Sequence, residues 1–107
     1  MIRLVKFLSN LPKDNVTREI VSQLIRSGTS IGANYFEAQS ASSRKDYQNF
    51  FRHSLKSANE TKFWLTILSD AGFTPGDLSK DCNWLSQETM ELANIFASSI
   101  LTMTGKK

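Results

Sequence analysis

Residues 77–104 read DLSKDCNWLSQETMELANIFASSILTMT, and the spacing within this stretch decides the fold. Leu78, Cys82, Leu85, Thr89, Leu92, Phe96, Ser99 and Met103 follow one another in alternating steps of four and three. An α-helix turns once in about 3.6 residues, so these steps return to one side and draw a seam that must be covered. No segment of the chain sustains the period-two alternation of a strand.

Upstream, Gly72-Phe73-Thr74-Pro75-Gly76 is a strong helix stop. Before it the same rhythm runs through Tyr47, Phe51, Ser54, Ala58, Thr61, Leu65 and Leu68. Ser43 or Ser42 is placed to cap that helix, with Asp46 in its first turn. Small Ser54 and Ala58 leave room for a neighbouring helix to approach. The polar run Ser40 to Ser43 and the turn Leu11-Pro12-Lys13-Asp14 are the other breaks. They divide the chain into helices at about 2–10, 15–40, 44–71 and 77–104. The expected architecture is all-α, a single-domain antiparallel up-down four-helix bundle with a shortened first helix. A first helix of Leu4, Val5, Leu8 and Leu11 is too short for its partners, so an exposed groove should follow.

The second helix has a broader apolar face than one core needs. Ile20, Leu24, Ile31, Tyr35 and Ala38 form one row, and Val21, Ile25, Gly28, Gly32 and Phe36 a second beside it. Each mid-helix glycine costs about 1 kcal/mol relative to alanine, so close packing should offset it. The second row is read as a surface for self-association, with Phe63 as a further oligomer contact.

The totals narrow the function classes. The chain has 107 residues, 40% hydrophobic and 21% charged, which suits one folded domain. Residues 1–62 hold ten Lys/Arg against five Asp/Glu, and residues 63–107 three against five, so the charge is +5 on one part and −2 on the other. That asymmetry permits a phosphate-binding surface on the first part. A lone cysteine, Cys82, forms no internal disulfide and suits a reducing compartment. The opening residues lack the apolar core of a signal peptide, and nothing approaches a membrane span. The expected location is cytoplasmic, with no membrane partner.

Lys45, Arg52, Lys56 and Asn59 share the face of the third helix opposite its seam, and Phe63 lies there too. Cations with an aromatic among them suit a phosphate backbone and an unstacked base, and they equally suit a solvated helix face. Arg18, Arg44 and Lys62 are outer contributors. Arg26, Ser30, Asn34 and Glu37 form a stripe beside the core of the second helix. In a hairpin turning near 40–43, Arg26 falls level with Glu60 and should pair with it, a polar seam fixing helix register rather than a ligand site. Gly28-Thr29-Ser30-Ile31-Gly32 lacks the Gly-Lys-Ser/Thr ending of a nucleotide loop. His53 has no second ligand at metal spacing, and no nucleophile has a base and an acid placed for catalysis. Trp64 and Trp84 read as buried anchors. No metal, no cofactor and no enzyme activity are expected.

Specific strings add to this pattern. The run from Gln23 to Ala38, QLIRSGTSIGANYFEA, resembles the central motif of the 23S ribosomal RNA intervening-sequence proteins. Leu11-Pro12, Asp46-Tyr47 with Phe50-Phe51, and the run from Ser54 to Leu65 resemble further motifs of that family. His53, Ser57 and Phe63 depart from its usual residues. The resemblance implies an up-down four-helix bundle, a ring-like homopentamer, and bacterial genes sited within ribosomal RNA insertions. A related group, accessory to diversity-generating retroelements, binds nucleic acid and a reverse transcriptase through a basic surface. Arg26, Ser30, Asn34, Glu37 and Glu60 match the family's signature positions. The expectation is a non-enzymatic homo-oligomer binding RNA or DNA through Lys45, Arg52 and Lys56. Its rival is a protein-interaction or assembly module with a protein partner and no nucleic-acid role.

Overall fold

The computed structural model describes residues 2–105. Four helices follow in order: α1 (Ile2–Ser9), α2 (Asn15–Ala38), α3 (Arg44–Asp70) and α4 (Asp77–Met103). They form an antiparallel up-down four-helix bundle in which α3 packs along both α2 and α4, and α1 lies against α2 and α4. α3 runs about 40 Å at 1.5 Å per residue, and α1 only about 12 Å.

The helix ends are fixed by local chemistry. Asp14 caps α2, its Oδ1 accepting from the Thr17 N–H at 2.8 Å. That bond holds the Asp14 carboxyl below its ordinary value of 3.8. Because the folded-state value is depressed, the contribution is complete above 3.8 and disappears as pH falls through the lower folded value. Asp14→Asn keeps an oxygen acceptor without the charge. The gap in melting temperature between it and the wild type is therefore expected to close on acidification; a constant gap would remove the charge from the account. Ser43 caps α3, accepting from the Asp46 N–H at 3.1 Å. Gly72 ends the α3 turn at φ 80°, a conformation only glycine adopts without strain, and lets the Phe73 N–H reach Leu68 O at 3.0 Å.

The interior falls into two apolar clusters. One holds Leu4, Phe7, Leu8 and Leu11 over Ile20, Leu24, Leu65, Leu68, Cys82 and Leu85. The other holds Ile31, Ala38, Phe51, Ala58, Ala93 and Phe96. Small hydroxyls lie between them and within the second. The Thr61 and Ser27 hydroxyls hydrogen-bond each other at 2.9 Å, and Ser54 Oγ donates to Ile31 O at 3.0 Å. This is the polar seam of the α2–α3 pair. Arg26 and Glu60 do not form it: both are exposed, and the ion pair among the described residues joins Arg3 to Asp81 at 3.9 Å. A guanidinium and a carboxylate side by side in water gain little, whereas the buried hydroxyls of Ser27, Ser54 and Thr61 gain by bonding across the helix pair. Asn34 turns back to Ser30 O at 2.9 Å, and Glu37 is exposed.

α1 explains several other departures. Gly28 is buried because Leu4 of α1 lies directly on it, and a Cβ there would collide with the Leu4 side-chain tip. Val21 packs against the first cluster. Gly28 thus serves packing within the chain, and Val21 gives part of its surface to the same cluster. Trp84 is 41% exposed, its ring covered by the Arg3 guanidinium at 3.7 Å from the ring centre. Leu92 is 37% exposed while Ala93 turns inward. Tyr35 is half exposed, its ring 6.0 Å from Phe51 and 6.4 Å from Phe96.

Cys82 reports on the docking of α1. It is buried in the cluster that α1 covers, and burial pushes its thiol above 9.0. Gly28→Ala needs only a rotation of Leu4 and should leave alkylation of native Cys82 slow. Gly28→Leu cannot be accommodated beneath α1. Overpacking of this kind costs about 1–3 kcal/mol, so alkylation is expected to quicken roughly five- to hundredfold. Equal rates for both variants would show that α1 does not depend on this contact.

Candidate nucleic-acid interface

α3 positions the candidate site because its seam is one-sided. With Phe51, Ser54, Ala58, Thr61, Leu65 and Leu68 buried, the opposite face must stand in solvent. At about 100° per residue, Lys45, Arg52, Lys56 and Phe63 fall within roughly 40° of one line on that face. All four are exposed, Phe63 at 56%. The Phe63 ring meets the half-buried Trp64 edge-on, centres 5.0 Å apart at 74°, which fixes the ring while leaving it accessible.

Arg52, Leu55, Lys56, Asn59, Glu60 and Phe63 line a depression of about 510 Å³. It gathers two expected phosphate contacts with the expected aromatic. It also brings in Leu55, which spacing alone assigns to neither seam nor site, and Glu60, which spacing sets against Arg26. Lys45 lies two turns, about 10 Å, along the same face.

The outer cations are not all there. Arg44 donates to Met103 O at 2.8 Å, and Gln48 to the same carbonyl at 3.3 Å. Arg44 therefore caps the C-terminus of α4, where the helix dipole favours a cation. Arg18 lines a separate hollow with Leu8, Leu11, Pro12, Lys13 and Val21. Lys62 is exposed outside the depression.

A second concave feature follows from the length of α1. The α4 face that carries Asp81 and Trp84 continues in helical steps through Glu88, Ile95 and Thr102, past the reach of α1. There a cleft of about 570 Å³ opens beside Tyr47, Phe51, Ile95, Ser99 and Met103. Of the second apolar row on α2, Ile25 and Phe36 remain exposed, Phe36 at 72%, with Gly32 half-buried between them. Among the described residues no three His, Cys, Asp or Glu gather as a metal site, and no helix is long and apolar enough to cross a membrane.

Residues 1–98 match the family model described as 23S rRNA-intervening sequence protein. A crystal structure of a protein with unknown function from the S23 ribosomal protein family of Bacteroides thetaiotaomicron is 36% identical, with a TM-score of 0.79 over 92% of this chain and 89% of that one. No curated protein matches the chain.

Proposed function

The chain belongs to the 23S rRNA-intervening sequence protein family, and from that premise we propose that it is a non-enzymatic, homo-oligomeric bundle of the cytoplasm that binds RNA or another nucleic acid through α3. The observation that carries the reading is the joining of Arg52, Lys56 and Phe63 in one accessible depression, with Lys45 on the same line. Cations displace the counterions of a phosphate backbone, and an exposed ring stacks on an unpaired base. The buried seam on the other side of α3 keeps this row aligned without any contribution from ligand. α4 carries four acidic residues and one lysine, which leaves a strand's path to α3.

Filter binding against a structured RNA at increasing salt tests the reading. Each phosphate contact on a single strand contributes about −0.7 to the slope of log affinity against log salt. Contacts from Lys45, Arg52 and Lys56 together give a slope near −2. Affinity that ignores salt would end the proposal.

One observation favours a second reading, a module for assembly or protein interaction. Ile25 and Phe36 leave apolar surface uncovered on α2, and Ile95 does so in the cleft beyond α1. In that case purified protein forms a discrete oligomer by light scattering and carries no nucleic-acid absorbance. Both properties hold together if the cleft joins copies while α3 faces the ligand.

A further inference from the structure

We propose that the α3 depression accepts an unpaired guanine, its Watson–Crick edge held by the Glu60 carboxylate and its ring face stacked on Phe63. This rests on the reading of α3 as a nucleic-acid surface and names what that surface selects.

Glu60 is the feature that a plain polyanion site does not explain. It is the one acidic residue lining the depression, beside Lys56 and Asn59. It pairs with neither Lys56, one turn before it, nor Arg26 of α2; the ion pair of the described residues lies elsewhere, at Arg3 and Asp81. An exposed carboxylate among phosphate-binding cations repels phosphate. An ionised carboxylate can only accept hydrogen bonds, so its complement is a group with donors and no facing acceptor.

The bases differ sharply in that respect. Guanine presents N1–H and the 2-amino N–H side by side, a matched pair for two carboxylate oxygens. Adenine and cytosine each set one amino donor beside a ring nitrogen acceptor, which would face a carboxylate oxygen repulsively. Uracil has a single N3–H between two carbonyls. Lys56 and Asn59 carry donors for the neighbouring guanine O6. Phe63, three residues beyond Glu60 and braced by Trp64, offers the stacking surface on the same side of the helix. In a duplex the guanine edge is already paired, so the ligand is a loop or single strand. Arg52 and Lys56, about 6 Å apart along the helix axis, remain for its phosphates.

Fluorescence anisotropy with a labelled uridine strand of about ten nucleotides, holding one central guanosine, adenosine or inosine, provides the test. Guanosine is expected to bind about tenfold tighter than adenosine, the discrimination of one bidentate pair. Inosine lacks the 2-amino donor and should lose most of that advantage. Glu60→Gln should abolish the preference while holding or raising affinity for the all-uridine strand, because a negative charge is gone. Phe63→Ala should weaken every strand. A deoxy strand with one guanine should keep the preference, since the argument uses no 2′-hydroxyl. Guanosine monophosphate that competes as strongly as the strand would overturn the strand as ligand. Equal, salt-dependent binding of guanosine and adenosine strands would overturn guanine selection and leave the polyanion reading standing. No binding of any strand at low salt would overturn both.

Discussion

Leu65→Ala is expected to lower the unfolding free energy by about 2–5 kcal/mol, the range for emptying a fully buried leucine site. Leu65 has no solvent exposure and lies in the cluster that α1, α2 and α4 all reach. The Cys82 S–H also points to the Leu65 carbonyl, at 3.4 Å. The cavity left by alanine can collapse only if three helices move together, and the Ser27–Thr61 and Ser54–Ile31 hydrogen bonds between α2 and α3 resist such sliding. Domains of this size hold only about 5–15 kcal/mol in all. At about 4–8 °C per kcal/mol near this length, a loss of about 8 °C or more in melting temperature is expected. Leu92→Ala supplies the contrast. Leu92 is already 37% exposed, and its removal should cost only about 1–1.5 kcal/mol by lost burial, with no closed cavity left behind. Thermal circular dichroism at one protein concentration, to hold any association constant, reads both. Equal losses would show that the two seams are not divided as described.

The sequence carried most of the skeleton, for a physical reason. The α3 seam recurs at helical spacing through seven residues, and six of them are buried. Periodicity of that length admits one answer. The α4 seam was less determinate, because Leu92 and Ala93 are neighbours and either could turn inward. The choice falls to Ala93 since α1 is too short to cover the flank on which Leu92 stands. Trp84 stands at the rim beside α1, partly exposed, with the Arg3 guanidinium over its ring. These outcomes depend on how far a neighbouring helix reaches, which spacing within one helix cannot register.

The candidate site was legible to the same degree. A cation row opposite a seam can be read from angular position alone, so Lys45, Arg52, Lys56 and Phe63 fell together. Pairings across helices could not be read this way. Arg26 and Glu60 are level in a simple hairpin, but at the surface water competes for both charges, and the register is set by buried Ser27, Ser54 and Thr61. Serine and threonine are common as caps, turns and core fillers alike, so the sequence gives no mark of which role they take. Arg44 illustrates the same gap. Its bond to the end of α4 depends on where two helices stop relative to each other, fifty-nine residues apart.

Lys45→Glu with Arg52→Glu is expected to remove nucleic-acid binding at moderate salt and to flatten the salt dependence. Hydrogen bonds to charged groups contribute about 1.5–3 kcal/mol each. Two lost contacts therefore lower affinity by roughly a hundredfold or more, at 1.4 kcal/mol per tenfold. The new carboxylates add repulsion to that loss. The slope of log affinity against log salt should fall in magnitude by about 1.4, two contacts at 0.7 for a single strand. The fold should not suffer, because both positions are exposed, lie opposite the seam and take part in no ion pair among the described residues. Arg44→Glu makes the informative companion. Its cation serves the α4 terminus at 2.8 Å, so reversal there should lower the melting temperature while moving the salt slope little. If instead Arg44→Glu weakens binding as much as the α3 pair does, attraction comes from the net charge of the chain rather than from the row on α3. If the α3 pair binds as the wild type does, the row has no part in nucleic-acid recognition, and the apolar cleft beyond α1 becomes the surface through which the protein acts.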